Sequence, residues 1–300
     1  MDTSFTENIL NPSLKLIRSD YKIKRFYFFP GLMSVIFISV LLVYQAIYTY
    51  SILLGKEDMT LKIILNFFHS QYVSEVLIAS SIFIVLYVIL IPIYEGSLIR
   101  YIDKLSSGDA SRSDSFGHGI MRFAPLFEFN NIFNMFKFMS IVNGFLFALR
   151  FLGIEYASFL MIVFFIAFLF SIILNILIAY ARYEIVLEGK GVFEAIGVSS
   201  QIALLNIKTT IRLYIFMFIM NIKVIVNFFI FLIFPILSAF IIGFISSQIF
   251  ITIIFIILGL IFLFLICMLG YMAGVLEIFT TAIWYNAYVE GRKKLMDTKI

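Results

Sequence analysis

The sequence predicts an all-α, polytopic integral membrane protein. Six transmembrane helices are laid out as three hairpin-like repeats, with both termini cytoplasmic. Three observations carry this reading. Apolar residues make up 62% of the chain and charged residues only 13%, with a mean hydropathy of +1.06. A soluble domain carries roughly a quarter charged residues, so there is too little polar surface here to cover a soluble globule. Five apolar stretches are long enough to cross ~30 Å of hydrocarbon, which takes about 20 residues, and a sixth is interrupted but long enough. Finally, three look-alike segments stand where apolar stretches run out into polar sequence.

Those segments are Arg100-Tyr101-Ile102-Asp103-Lys104, Arg182-Tyr183-Glu184 with Glu188-Gly189-Lys190, and Trp284-Tyr285-Asn286 with Glu290-Gly291-Arg292. In the last two, the Glu-Gly-basic triplet follows the tyrosine at the same spacing. Such self-similarity points to a repeated unit. The unit reads as a transmembrane hairpin whose second helix emits a polar, partly helical segment on one side.

The spans follow in order. The first runs from about Phe26 to Leu54, and the second from about Val76 to Ile99 with Pro92 near its end. The third, about Ile132 to Leu152, is interrupted by Lys137 and Asn143. The fourth runs from Tyr156 to Ala181. The fifth lies within Leu213 to Phe244 and contains Lys223 and Pro235. The sixth runs from Ile249 to about Thr281. One membrane domain results, with residues 1–25 cytoplasmic or interfacial, 26–281 a six-helix bundle and 282–300 a cytoplasmic tail. The first 25 residues are polar and mixed in charge, unlike a cleavable signal peptide, and the first helix is expected to act as an uncleaved signal.

Orientation comes from Lys and Arg. Lys15, Arg18, Lys22, Lys24 and Arg25 precede the first span, and Arg100, Lys104, Arg112 and Arg122 follow the second. Arg182, Lys190, Lys208 and Arg212 follow the fourth, and Arg292, Lys293, Lys294 and Lys299 follow the sixth. The opposite loops hold only Lys56, Lys62 and Arg150. This asymmetry places both termini inside, in the plasma membrane of a prokaryote, and the basic flanks favour anionic headgroups. A net charge of +4 gives no reason to expect a nucleic-acid partner.

The N-terminal segment reads as an interfacial helix. Asn11-Pro12 is a helix start. Leu14, Ile17 and Tyr21 then lie near one face, and Lys15, Arg18 and Lys22 near the other. Docking and simple anchoring both fit. Ser106 to Ser115 reads as a solvated loop before Phe116-Gly117-His118-Gly119-Ile120-Met121. Gly191 to Ser200 reads as the matching loop. Each is expected to form a short cytoplasmic amphipathic helix, with Phe193, Ile196, Ser200 and Ala203 on one face of the second. These helices are either coupling elements or spacers that lead the chain back into the membrane.

Catalytic motifs are absent from the sequence. His69 and His118 are far apart, no His-Glu-x-x-His occurs, and no Walker A loop, nucleophile elbow or dinucleotide fingerprint is found. Cys267 is the single cysteine, so no intramolecular disulfide or cysteine-rich metal site forms. No cofactor or metal is expected. Ionisable residues within spans are costly and mark function by default. Glu95, Lys223 and Glu277 are the intramembrane candidates, with snorkelling and helix contacts as the plainer alternative. Asn143, Asn175 and Asn227 are candidates for hydrogen bonds between helices. Tyr101, Tyr183, Glu188, Phe193, Tyr285 and Glu290 are the cytoplasmic docking candidates.

The run from Ala181 to Ile196, then Ser199-Ser200 and a new apolar helix, resembles a broad group of bacterial and archaeal six-helix membrane proteins. That group includes the membrane domain fused to some glycerophosphodiester phosphodiesterases. Phe279-Thr280-Thr281-Ala282 through Tyr285 and Tyr288 is similar to the ending of the same group. The resemblance implies an integral membrane module that is an accessory to something else. The catalytic barrel is absent, so none of its residues carries over.

Three functions are compatible with these residues. One is a non-enzymatic membrane subunit that scaffolds or anchors a larger assembly through protein partners or a second copy. Another is a permease subunit, working as a dimer or with a separate ATPase, with Lys223 and Glu95 on its pathway. The third is a lipid-modifying intramembrane enzyme, for which only His118 with Asp103, Asp109 and Asp114 offers acid–base groups.

Overall fold

The computed structural model describes residues 5–19, 21–53, 57–106, 108–220 and 248–298, and every element among them is helical. Lys223, Asn227 and Pro235 lie outside the described residues. Among the described residues three helices are long and apolar enough to cross a membrane: Val73–Ser106, Ile154–Leu187 and Ile256–Thr298. A fourth counts if Val192–Leu205 and Ile207–Met220, bent by 97° at their junction, are taken as one. The stretch expected as a third span breaks after Asn134 and restarts as a 15-residue helix, Phe138–Leu152.

The chain divides into two compact units. The first comprises residues 1–19, 92–228 and 279–300. A π-helical turn, Thr6–Leu10, leads into α1 (Asn11–Ser19). Ile9 and Ser13 are buried here, while Leu14 is exposed. The face expected to be the apolar one is therefore turned outward at Leu14, and docking uses the residues one turn earlier. The end of α5 (Val73–Ser106), then α6 (Arg112–Met121) and α7 (Phe123–Asn134) follow. The expected solvated loop at 106–115 is short, because Ser111 caps α6. Its hydroxyl accepts the Asp114 N–H, and the Ser115 hydroxyl donates to the Ser111 carbonyl at 2.7 Å. The Ser-x-x-Asp spacing is a helix-start signal.

Next come α8 (Phe138–Leu152), α9 (Ala157–Leu177) and α10 (Ala181–Leu187). Two helix breaks are sealed by side chains. At the α7–α8 break, Ser171 and Asn175 both donate to the Phe136 carbonyl, Asn175 at 2.8 Å. At the α9–α10 break, the Ser199 hydroxyl accepts the Tyr180 N–H at 3.0 Å and donates to the Leu177 carbonyl at 2.7 Å. Irregular backbone needs such partners when water is excluded.

Ser199 belongs to α11 (Val192–Leu205), and its task sets that helix's orientation. The buried residues are Val192, Ala195, Ser199, Ile202 and Ala203. Of the expected face only Ala203 is buried, and Phe193 is 74% exposed. Then α12 (Ile207–Met220) departs at the bend. The unit closes with residues 279–298 of α13 (Gln248–Thr298), which continues without a break through the expected tail.

The second unit comprises residues 20–91 and 229–278. It holds α2 (Tyr21–Phe26), α3 (Phe28–Leu53), α4 (Glu57–Phe68), the start of α5 and residues 248–278 of α13. Its tightest packing is glycine on glycine. A Cβ on Gly31 would lie 2.3 Å from the Gly270 carbonyl oxygen and 2.6 Å from the Gly274 nitrogen. Gly270 and Gly274 form a Gly-x-x-x-Gly stripe, which lets helix backbones touch in apolar surroundings. Phe37 stacks on Tyr87 at 4.4 Å beside this crossing's helices. Glu277 is exposed on α13 in this unit.

Burial runs against the usual order. In the most apolar windows of the three long helices only 11%, 11% and 6% of residues are buried. Their polar ends are packed: Glu95, Ser97, Glu184 and Thr281 are buried there beside Leu98, Ile185 and Ile283. A chain in water buries its apolar parts. Exposed apolar middles with buried polar ends are the pattern expected where lipid is the solvent of the middles.

Candidate functional site

The candidate site is a cluster of tyrosines, carboxylates and cations in the first unit. Three helix ends build it: α5 after Pro92, α10 with the turn after it, and α13 after Phe279. Length explains why these ends are free for polar work. At a 1.5 Å rise per residue, α5 is about 51 Å long and α13 about 76 Å, well beyond ~30 Å of hydrocarbon.

Glu184 is the centre. Its side chain is fully buried. Oε1 accepts the Tyr288 hydroxyl at 2.9 Å and lies 3.7 Å from Arg292 Nη1. Oε2 has no hydrogen bond of good direction; its partner is the Lys190 ammonium at 2.9 Å. Arg292 also pairs with Glu188 and donates to the Tyr288 hydroxyl at 2.6 Å. A buried carboxylate is tolerable only when paired and hydrogen-bonded, and here two cations and a phenol supply both.

Aromatic rings surround this charge cluster. Tyr183 stacks on Tyr288 with centroids 5.4 Å apart, and its hydroxyl donates to the Thr281 carbonyl at 3.0 Å. Tyr180 and Tyr214 meet Trp284 edge-on at 5.7 and 5.0 Å. Tyr285 donates to Asp103 Oδ1 at 2.9 Å, and Asp103 also pairs with Arg100 at 3.3 Å. The tyrosine of each look-alike segment is buried: Tyr101 to 3%, Tyr183 to 1% and Tyr285 to 7% exposure. The α5 and α10 ends are thus each tied to α13 by a tyrosine–carboxylate bond.

Glu95 is 8% exposed and pairs with Arg182 at 2.7 Å. Asn130 on α7 donates to its other oxygen at 3.0 Å. Lys223, the partner weighed from the sequence, lies outside the described residues. Arg182 was legible as a cation of the second segment but not as this partner, because 87 positions separate it from Glu95. Glu290 pairs with Lys294, which also donates to Asn206 at the α11–α12 bend at 2.9 Å.

Two of the acid–base groups read from the sequence, His118 and Asp103, are engaged with other partners. The His118 ring nitrogen Nε2 lies 2.8 Å from the Val186 carbonyl, and Asp103 serves Tyr285 and Arg100. Among the described residues no three His, Cys, Asp or Glu side chains converge as metal ligands. A cavity of about 220 Å³ between α8 and α9 is lined by apolar side chains, including Ile141, Phe145, Phe164 and Phe168. It offers no proton donor or acceptor.

The fold and this cluster define a class: an all-helical membrane protein whose polar helix ends are locked by buried ion pairs and tyrosine hydroxyls. Compared with family models, curated proteins and solved structures, the chain finds no match.

Proposed function

We propose that the chain is a non-enzymatic integral membrane subunit that anchors or scaffolds a larger membrane-associated assembly. In this reading six spans form three hairpin-like repeats, both termini face the cytoplasm, and the protein resides in the plasma membrane of a prokaryote. It is an accessory module of the kind found fused to glycerophosphodiester phosphodiesterases. The observation that carries the reading is the cross-linking of the helix ends. Glu184, Glu95 and Asp103 are each consumed by partners within the chain. A rigid polar platform results, and Phe193 projects from it with 74% of its surface exposed. Charges meant to bind or move a solute need open coordination, whereas charges that stiffen a scaffold are paired.

The test is gentle extraction of the tagged chain and mass spectrometry of the intact species. A stoichiometric protein partner is expected. A lone monomer or homodimer would overturn the scaffold reading.

One observation favours the permease as a second reading. The α11–α12 bend of 97° breaks a candidate span at Asn206, and broken helices mark binding sites in transporters. Replacing Glu95 and Lys223 separates the two. Lost solute flux with assembly intact supports transport, while lost association with flux unchanged supports the scaffold.

A further inference from the structure

Several cations of the first unit have visible partners. Arg182 holds Glu95, Lys190 and Arg292 hold Glu184, Lys294 holds Glu290, and the Arg212 guanidinium lies 5.3 Å from the Phe5 ring centre. Arg122, at the junction of α6 and α7, differs. Its Nε is buried without an acceptor, as is that of Arg100, but Arg100 pairs with Asp103 and no carboxylate among the described residues pairs with Arg122. Its head lies against the Gly189 turn, where a Cβ would sit 2.5 Å from Nη2 and 2.9 Å from Cζ. The nearest acidic residue in sequence to that turn, Glu188, is taken by Arg292. A guanidinium carries five N–H donors and cannot shed its charge. The side chain is part-exposed, and its Nη donors, rather than the buried Nε, form the fork that an anion with several oxygens would meet.

The adjoining side chains indicate which anion. Ile120 and Met121, immediately before Arg122, are 52% and 78% exposed. A free phosphate gains nothing from such neighbours. A phospholipid uses both parts: its phosphate meets the guanidinium and its acyl chains meet the apolar side chains.

We propose that Arg122 is the anchoring residue of a specific anionic-phospholipid site, with Ile120 and Met121 as its apolar rim. The site goes beyond the scaffold reading and does not depend on it.

The test uses the full chain in mild detergent, supplied with phosphatidylglycerol, phosphatidylcholine or inorganic phosphate. Bound lipid is counted by native mass spectrometry and stability is read by thermal unfolding. Wild type retains phosphatidylglycerol over phosphatidylcholine. Arg122→Gln weakens that retention by about tenfold, the worth of one charge-assisted bidentate contact. Arg112→Gln, an exposed cation on the same helix, leaves it within about twofold, as expected for a screened surface charge. Equal loss in both variants would show general electrostatics and overturn the site. Retention unchanged in Arg122→Gln would overturn it as well. If Arg122→Gln fails to fold, the wild-type protein decides: stabilisation by phosphatidylglycerol alone supports the site, and equal stabilisation by phosphatidylcholine sinks it. Stabilisation by inorganic phosphate matching that of phosphatidylglycerol would assign the guanidinium to a free anion and overturn the lipid.

Discussion

The triplets Glu188-Gly189-Lys190 and Glu290-Gly291-Arg292 are nearly the same in sequence and differ in backbone. The first ends a helix: Glu188 is the C-cap of α10 and Gly189 has φ +73°. The second lies inside α13, where the helix runs on to Thr298. Their glycines therefore answer different demands. A side chain at Gly189 meets the left-handed penalty of about 1–2 kcal/mol. A side chain at Gly291 meets Ile202 and Asn206, at 2.7 and 2.8 Å from a would-be Cβ. Yet the basic residue of each triplet reaches the same carboxylate, Glu184. The shared motif specifies where a cation must arrive, and the local fold decides how.

The largest effect expected is at the shared target. Glu184→Ala leaves Lys190 and Arg292 without their common partner and is expected to cost about 3 kcal/mol. That is the low end for breaking a buried pair, since both cations reach water in part. Glu184→Gln, which still accepts from Tyr288, is expected to cost less. Thermal unfolding in one detergent reads both. A loss below about 1 kcal/mol for the alanine variant would mean that the two triplets do not depend on Glu184.

The glycines come next: both are crowded, Gly189 by the movable Arg122 head and Gly291 by buried Ile202, and only Gly189 adds a positive φ. Gly291→Leu is expected to cost about 2 kcal/mol by overpacking against buried Ile202. Gly189→Val is expected to cost about 1–2 kcal/mol through φ. Gly189→Asn, which tolerates that conformation, is expected to be nearly neutral once the Arg122 head shifts aside. Unfolding midpoints that rank Gly189→Asn below Gly291→Leu would erase the distinction between the triplets.

The cations rank third. Arg292 engages Glu184, Glu188 and Tyr288 at once, whereas Lys190 meets Glu184. A planar fork is not replaced by an ammonium. Arg292→Lys is therefore expected to cost about 1 kcal/mol, as for losing one or two hydrogen bonds to charged groups. Lys190→Arg should stay within about 0.5 kcal/mol. Equal losses in the two swaps would show that charge alone matters at Glu184.

Much of this arrangement was legible in the sequence, and the rest was not for identifiable reasons. Apolar stretches gave helices, because membrane hydropathy acts locally and needs no knowledge of neighbours. The spacing of Tyr101, Tyr183 and Tyr285 flagged the helix ends that meet. Partner choice was hidden: Arg182 reaching Glu95 and Tyr288 reaching Glu184 are contacts across long sequence separations. On α11 hydrophobic periodicity groups Phe193, Ile196, Ser200 and Ala203 near one face but carries no sign that Ser199 lies on the packed side, where its hydroxyl serves the broken backbone at Leu177 and Tyr180. Two overlooked signals were readable: Ser111-x-x-Asp114 as a helix start and Gly270-x-x-x-Gly274 as a close crossing.

The exposed side of α11 yields the smallest stability effect and the most direct functional one. Phe193 follows the first triplet on a helix whose buried face excludes it. No comparable residue follows the second triplet, which continues as helix with Met296 exposed and Leu295 buried. Phe193→Ser removes surface and no packing, so stability should stay within about 0.5 kcal/mol. If the first triplet exists to present α11 to a partner, co-purification of that partner should fall severalfold with Phe193→Ser. The matching change Met296→Ser should leave it intact. Loss in both variants would make the two triplets equivalent docking elements. Loss in neither would return the exposed Phe193 to lipid contact alone, because an aromatic side chain held outward on a short amphipathic helix suits the headgroup boundary as well as a protein groove.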